Sequence, residues 1–187
     1  MGNSEQVVRV LPSTAGNAVC VVSPQGCLPG EAGTSPSSTC AEFRGELFNT
    51  SESASWKDLR NYTMGLEMNL GFNDTADFGL DTVALGLSNA TRGPYLDSTV
   101  VAAYANDDYF IGMFGLNQQR TNFSTFSDSY PSFLTTLITK KMIPSLSWAY
   151  TAGARYRKYD NSLAFTKPRL LQSERFTRLK STWTFEH

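Results

Sequence analysis

Few residues of this chain could carry out nucleophilic, metal or phosphate chemistry. The 187 residues include one histidine, His187 at the last position, and three cysteines. A serine nucleophile needs an adjacent base, and a zinc site needs several His or Cys ligands. No Gly-rich run leads from a strand into a helix with the Lys and Ser/Thr of a phosphate loop. The sequence therefore predicts no Ser–His pair, no metal site and no cofactor.

Carboxylates are the remaining candidates for chemistry. Two carboxyl groups that share one proton can together activate a water molecule, because two like charges a few ångströms apart cannot both ionise. Asp81-Thr82-Val83 offers one such carboxylate. Ser13, which stands between two apolar runs, cannot accept a proton near neutral pH.

The elements that must position these residues are mostly strands. Short runs rich in Val, Leu, Tyr and Thr are bounded by Gly, Pro, Asn or Ser, and apolar residues recur at every second place from Tyr62. These runs are Val7–Leu11, Val19–Val22, Asn61–Leu70, Leu80–Leu87, Thr99–Ala105 and Leu146–Tyr150. One helix is predicted from Pro131 to the residues before Pro144. The fold class predicted is all-β with one short helix.

Five segments in order resemble the pepsin-like aspartic peptidase family, in the style of its secreted fungal members. They cover roughly residues 6–153. The segments are Ser13-Thr14-Ala15-Gly16-Asn17, Phe48 to Trp56, Gly79 to Gly86, Phe110 to Leu116, and Pro131 to Tyr150. The resemblance implies a single N-terminal lobe of the pepsin-like acid protease fold. It also implies a structural role for Asp81, because Asp81-Thr82 lacks the Gly that follows the family's catalytic Asp-Thr pair and lies in the family's G-x-D-T-V pattern.

The resemblance also implies that the usual catalytic motif is degenerate. The position of the family's first catalytic Asp carries Ser13, and Thr14 and Ala15 follow it where the family has Thr and Gly. In the family a C-terminal lobe supplies the second Asp, and we expect this chain to lack that lobe. Two readings stay open: a non-catalytic, peptide-binding domain, or an aspartic-type endopeptidase of which this chain is a partial or altered record. A symmetric dimer would hold two Ser rather than two Asp.

The substrate-covering flap of the family matches Leu70, Gly71 and Phe72 here. The family carries a Tyr followed by Gly at the tip of this hairpin, whereas this chain offers Leu or Phe and no hydroxyl. A hydrophobic lid of this kind could cover a bound peptide. It could not make the family's polar contact beside the two carboxylates.

Several features favour a secreted or cell-surface protein. Five Asn-x-Ser/Thr sequons are candidate glycosylation sites, at Asn49, Asn61, Asn73, Asn89 and Asn122. Cys27 and Cys40 bracket a Gly- and Ser-rich loop, and a disulfide there would stabilise the fold by roughly 3 kcal/mol; the alternative is two unrelated thiols. Cys20 lies in an apolar run and is predicted to be buried and unreactive. We expect a secretory precursor whose start has been trimmed.

Charge divides the chain into two predicted parts. Residues 1–153 are the predicted lobe, and residues 154–187 are a basic tail with 8 of the 16 Lys and Arg residues, unlike the family. The tail is predicted to be disordered or foreign to the fold. A net charge of -1 gives no reason to expect nucleic acid as a partner. Expected partners are a peptide or protein, or a second copy through an exposed lobe surface.

Overall fold

The fold is built on one six-stranded sheet. The computed structural model describes residues 5–27, 38–65, 71, 74–85, 95–123, 128–151 and 162–165. The strands are β1 (Val10–Ser13), β2 (Val19–Val22), β3 (Lys57–Thr63), β4 (Thr75–Val83), β5 (Leu96–Tyr104), β6 (Gly112–Gly115), β7 (Thr121–Asn122), β8 (Ser129–Tyr130), β9 (Trp148–Thr151) and β10 (Ser162–Phe165). The predicted all-β class is confirmed.

The prediction of one short helix was wrong, because the described residues contain two. These are α1 (Ser38–Phe43) and α2 (Phe133–Thr139). A helix of six residues makes fewer than two turns, so no 3.6-residue apolar period could reveal α1. Two single turns of 3₁₀ helix, Pro24–Cys27 and Thr50–Glu52, complete the helical content of the described chain.

The large sheet mixes parallel and antiparallel pairs in the order β1-β6-β2-β5-β4-β3. β1 runs parallel to β6 and β2 parallel to β5, whereas the β2–β6, β5–β4 and β4–β3 pairs are antiparallel. Two small antiparallel ladders lie beside it, β7 with β8 and β10 with β9. β2 is central and fully buried, so its four apolar residues form a continuous run.

Each face of the sheet has its own core, since alternate residues of a strand point to opposite faces. Val19 and Val21 of β2 pack on one face, where the buried side of α2 covers them. Cys20 and Val22 pack on the other face against aromatic residues of neighbouring strands. Among the described residues, Tyr62 and Phe123 form a close aromatic contact there, with ring centroids 4.5 Å apart.

Helix α2 is shorter than the sequence predicts. The side chain of Ser132 caps its N-terminus by accepting a hydrogen bond from the backbone N–H of Thr135. The helix ends at Thr139, and Lys141 two residues later has a φ of +57°, which no α-helix can contain. The stripe of apolar residues beyond Thr139 therefore packs as a turn.

Strand boundaries also differ from the periodic pattern. The strand predicted over Asn61–Leu70 is β3, which begins at Lys57 and ends at Thr63, and residues 66–70 lie outside the described residues. The strand predicted over Val7–Leu11 is displaced to Val10–Ser13. The last paired residues of β3 and β4 are Thr63 and Thr75, so the alternating pattern by itself does not mark where a strand ends.

Four residues of the basic tail belong to a strand. Ser162–Phe165 pairs antiparallel with Trp148–Thr151, and the rest of the tail lies outside the described residues. The proposed division of the chain at residue 153 therefore stays a prediction. Among the helices that the structure describes, none is long and apolar enough to cross a membrane.

Candidate functional site

The turn that follows β1 carries the degenerate motif. Ser13 ends β1 opposite Gly115 of β6, and its carbonyl accepts a hydrogen bond of 2.7 Å from the backbone N–H of Leu116. Its hydroxyl oxygen accepts one hydrogen bond, of 3.3 Å, from the N–H of Gly16. No carboxylate of the described residues bonds to Ser13. The hydroxyl therefore supports the turn and has no acid or base beside it.

A close crossing of two backbones fixes this turn against β6. A Cβ atom placed on Gly115 would lie 2.6 Å from the carbonyl oxygen of Gly16 and 2.7 Å from that of Ala18. Neither backbone atom could yield, so residue 115 must be glycine for the turn to lie where it does. The N–H of Gly115 donates to the Ala18 carbonyl at 3.0 Å.

A cavity of about 420 Å³ opens beside this turn, and we call it the groove. Three separate segments line it, together with two core residues. The lining residues are Gly16, Asn17, Ala18, Cys20, Tyr62, Thr63, Met64, Gly65, Phe78, Thr121, Asn122 and Phe123. None of these lining residues carries a charge. The groove thus has the size of a small-ligand site and an aromatic wall, and its described lining offers no charged group for acid–base chemistry.

Thr121 gives the groove a polar atom without a protein partner. The residue is 7% exposed, and its Oγ1 atom is buried with no hydrogen-bond partner among the described residues. A buried hydroxyl normally finds a partner, because desolvation without a hydrogen bond costs about 1–3 kcal/mol. Thr121 Oγ1 is therefore a buried hydroxyl of a groove-lining residue, without a protein partner among the described residues.

The residues predicted from the motif lie at the edge of this groove. Thr14 and Ala15 are exposed at the top of the turn, and the groove wall begins at the next residue. Of the predicted flap, Gly71 is described, exposed, and has a φ of +86°. Leu70 and Phe72 lie outside the described residues.

Asp81 is buried on β4 and is held by three donors. Ser53 Oγ donates to Oδ2 at 2.8 Å, Ser55 Oγ donates to Oδ1, and the N–H of Thr82 donates to Oδ1 at 2.7 Å. The residue is 4% exposed and lines a second cavity of about 350 Å³ with Val19 and Val21. It therefore faces the opposite side of β2 from the groove, and its contacts are those of a structural carboxylate.

Arg44 is the largest polar side chain in the core, and nothing in the sequence predicted its burial. Its guanidinium group donates to five backbone carbonyls and to Asp107 Oδ1. The carbonyls belong to Gly26, Ala105, Asn106, Tyr109 and Phe110, at 2.6–3.3 Å. Because Asp107 is 91% exposed, the carbonyls provide most of the stabilisation. Arg44 joins the loop after β5 to the turn that contains Cys27.

The cysteines behave as the sequence predicts. Cys27 and Cys40 form a disulfide with a Cα–Cα distance of 5.7 Å. Cys20 is a free, buried thiol, and burial raises its pKa from 9.0 to about 12. A thiol that stays protonated is a poor nucleophile, so Cys20 is inert although it adjoins the groove. Burial likewise raises the pKa of the Tyr104 phenol above its ordinary value.

Three of the five predicted glycosylation sites are described. Asn49 caps a 3₁₀ turn, Asn61 lies on the edge strand β3, and Asn122 lies on β7 at the groove. Asn73 and Asn89 lie outside the described residues. Within the described ranges, no three His, Cys, Asp or Glu side chains are grouped so that they could hold a metal ion.

Comparison with known proteins leaves the family open. No model of a known protein family matches this chain, and no curated protein matches it.

Sequence reasoning missed the residues that form most of the groove. The sequence marks Phe123 and Tyr62 as the middle residues of the sequons at Asn122 and Asn61, and Tyr62 also as part of a predicted strand, whereas nothing marks Thr121 as a wall residue. The wall formed by residues 16–18, 62–65 and 121–123 has no signature along the chain, because its parts are 44 residues or more apart.

Proposed function

We propose that this chain is a pepsin-like lobe without catalytic activity that binds peptides in the groove. Support for the fold comes from segments that resemble the family and that contact one another. The segment around Ser13 pairs with the one around Phe114, about 100 residues later, as β1 and β6. Asp81 joins the segments at Ser53 and Gly79 through its hydrogen bonds.

The observation that carries the non-catalytic proposal is the chemistry around Ser13. Its hydroxyl contacts one backbone N–H, and the groove beside it has no charged residue among its described walls. Water activation by an aspartic peptidase requires two carboxyl groups that share a proton. A serine hydroxyl at this position cannot take that role, so we expect no acid proteolysis by this chain.

Peptide binding is favoured by the mixture of groups in the groove. Tyr62, Phe78 and Phe123 offer apolar surface for one or two side chains, and the buried hydroxyl of Thr121 has no described protein partner. A ligand with apolar side chains and regularly placed amide groups matches this combination. We therefore expect hydrophobic peptides to bind rather than charged small molecules.

The test uses one probe and one substrate. Isothermal titration with a statine-containing hydrophobic hexapeptide, a mimic of the peptidase transition state, should give micromolar binding. Casein digestion at pH 3–5 should be undetectable, for the native chain and for Ser13→Asp, because one added carboxylate has no partner. Phe123→Ala should weaken peptide binding, and Lys57→Ala on the far end of β3 should not.

Two outcomes would overturn the proposal. Failure of the hexapeptide to bind would remove peptide binding. Acid proteolysis that the hexapeptide inhibits, and that Asp74→Asn, Asp77→Asn or Asp81→Asn abolishes, would favour the alternative, an aspartic-type endopeptidase.

We also propose secretion and weak self-association. The Cys27–Cys40 disulfide is compatible with an extracellular protein. Exposed large apolar side chains include Phe43 at 68% and Phe110 at 57%, which offer surface to a second copy. A concentration series in the analytical ultracentrifuge tests association, and a strictly monomeric protein would contradict it.

A further inference from the structure

Two of the three described sequons flank the groove. Asn122 is one of its lining residues, and Asn61 directly precedes the lining residues Tyr62 and Thr63. Asn49 belongs to a turn that contributes nothing to the groove. An N-linked glycan at Asn122 or Asn61 would therefore stand next to the proposed peptide site.

The three asparagines differ at Nδ2, the atom that carries the sugar. Asn49 Nδ2 donates to Glu52 Oε1 at 2.8 Å, and Asn61 Nδ2 donates to Asp77 Oδ1 at 3.0 Å. Asn122 is held through its oxygen instead, since Oδ1 accepts a hydrogen bond of 2.7 Å from Ser129 Oγ. Among the described residues no acceptor contacts Asn122 Nδ2. A sugar on this atom would disturb no existing bond.

Strand β7 directs the Asn122 side chain towards solvent at the opening of the groove. Thr121 is buried and Asn122 is exposed, while Phe123 is half-buried in the aromatic cluster with Tyr62. This alternation follows from the two-residue period of a strand. A glycan attached here would start at the rim, above the polar and aromatic groups that a peptide would use.

We propose that Asn122 carries an N-linked glycan that covers the mouth of the groove and restricts which ligands enter it. The oligosaccharide comes from a lipid diphosphate carrier in the secretory pathway. A bond forms between Nδ2 and the anomeric carbon of the first sugar, the bond from that carbon to the carrier's phosphate oxygen breaks, and Nδ2 gives one proton to the departing diphosphate. The remaining Nδ2–H and the Oδ1 contact with Ser129 are retained.

The proposal rests on the proposed function, because it takes the groove to be a peptide-binding site. Its test uses no peptide. The full chain is produced in a eukaryotic secretory host, and glycopeptide mass spectrometry measures occupancy at each sequon. Asn122 should be occupied. Asn122→Gln and Ser124→Ala should both remove that glycan, and because one of them keeps the asparagine, the two separate loss of the sugar from loss of the side chain.

Access to the groove is measured by alkylation of an added thiol. Asn17→Cys places a thiol in the groove wall, and Lys57→Cys places one on exposed β3 away from the groove. Native Cys20 does not compete, because it is buried and its pKa is about 12. The rates are compared for iodoacetamide and for a 5-kDa polyethylene glycol maleimide, before and after endoglycosidase treatment.

The glycan should slow the bulky maleimide at position 17 at least fivefold and leave iodoacetamide nearly unchanged. Endoglycosidase treatment, Asn122→Gln or Ser124→Ala should each restore the bulky reagent's rate, and position 57 should respond to none of them. An unoccupied Asn122, or an occupied Asn122 that leaves the rate at position 17 unchanged, would overturn the proposal. Neither result would bear on hexapeptide binding by the deglycosylated protein, so the two proposals fail separately.

Discussion

The buried charges and the groove use polar groups in opposite ways. Arg44 donates to five carbonyls and a carboxylate, and Asp81 accepts from three donors, so both charges are fully paired inside the fold. Thr121 Oγ1 is buried at the groove with no partner among the described residues. Complete pairing indicates a structural role, whereas a buried polar atom without a partner calls for an explanation, and for Thr121 we propose a ligand in the groove. We therefore expect changes at Arg44 and Asp81 to alter stability, and a change at Thr121 to alter ligand binding.

Loss of Arg44 should have the largest effect. Arg44→Met removes the donors of five buried or partly buried carbonyls, and the free energy of unfolding should fall by about 3–5 kcal/mol. Urea unfolding and the yield of soluble protein measure this, with Arg44→Lys as a milder variant. Arg9→Met is the matched control: Arg9 pairs with exposed Glu46, so its loss should cost less than about 1 kcal/mol. Equal losses in the free energy of unfolding for Arg44→Met and Arg9→Met would contradict the stabilising role of the buried Arg44 side chain.

Asp81→Asn should destabilise the fold by about 2 kcal/mol, because the amide replaces a charged acceptor and turns an N–H₂ group towards two hydroxyls. Asp77→Asn, on the same strand but exposed and bonded to Asn61, should stay within about 0.5 kcal/mol of the native protein. Urea midpoints of the two variants provide the comparison. A larger loss for Asp77→Asn would contradict the structural role of Asp81.

Alkaline pH should weaken the fold through Cys20. The folded pKa of about 12 lies above the ordinary value of 9.0, so the unfolded chain loses its thiol proton first and stability falls as pH rises from 9 towards 12. Between pH 8 and pH 10 the thiol should account for a loss of about 1.4 kcal/mol in the free energy of unfolding. Urea unfolding with the disulfide intact measures the loss, and Cys20→Ala should show a smaller pH dependence. An equal slope in both proteins would contradict the burial argument.

Thr121→Val should have the smallest effect on the free energy of unfolding, a gain of up to about 1 kcal/mol, because it removes a buried hydroxyl that has no protein partner among the described residues. Thr99→Val is the matched comparison: Thr99 is also buried, and its Oγ1 donates to the carbonyl of Leu96 at 3.0 Å. Its loss should cost about 1 kcal/mol. Thr121→Val should nevertheless weaken hexapeptide binding. A stability loss at Thr121 equal to that at Thr99 would mean that the Thr121 hydroxyl is already paired.

The sequence predicted features that depend on residues close together along the chain. Val19–Val22 was located correctly as a strand, because a short apolar run bounded by turn residues is typical of a buried strand. Phe133–Thr139 is helical, as the apolar spacing after Pro131 indicates, although the helix is shorter than predicted. The helix α1 escaped because its six residues span too few turns to repeat a pattern. β3 was misplaced because alternation continued where its pairing with β4 had ended.

By itself the sequence determined the β-rich class, the scarcity of catalytic side chains and the buried state of Cys20, since composition and local apolar pattern suffice for these. Only the tertiary structure decided that Arg44 is buried and that Thr121, Phe123 and Tyr62 share one cavity. An arginine is normally exposed, and only the carbonyls of a distant loop make its burial favourable. The groove likewise depends on strands paired across roughly 100 residues, which no local pattern encodes.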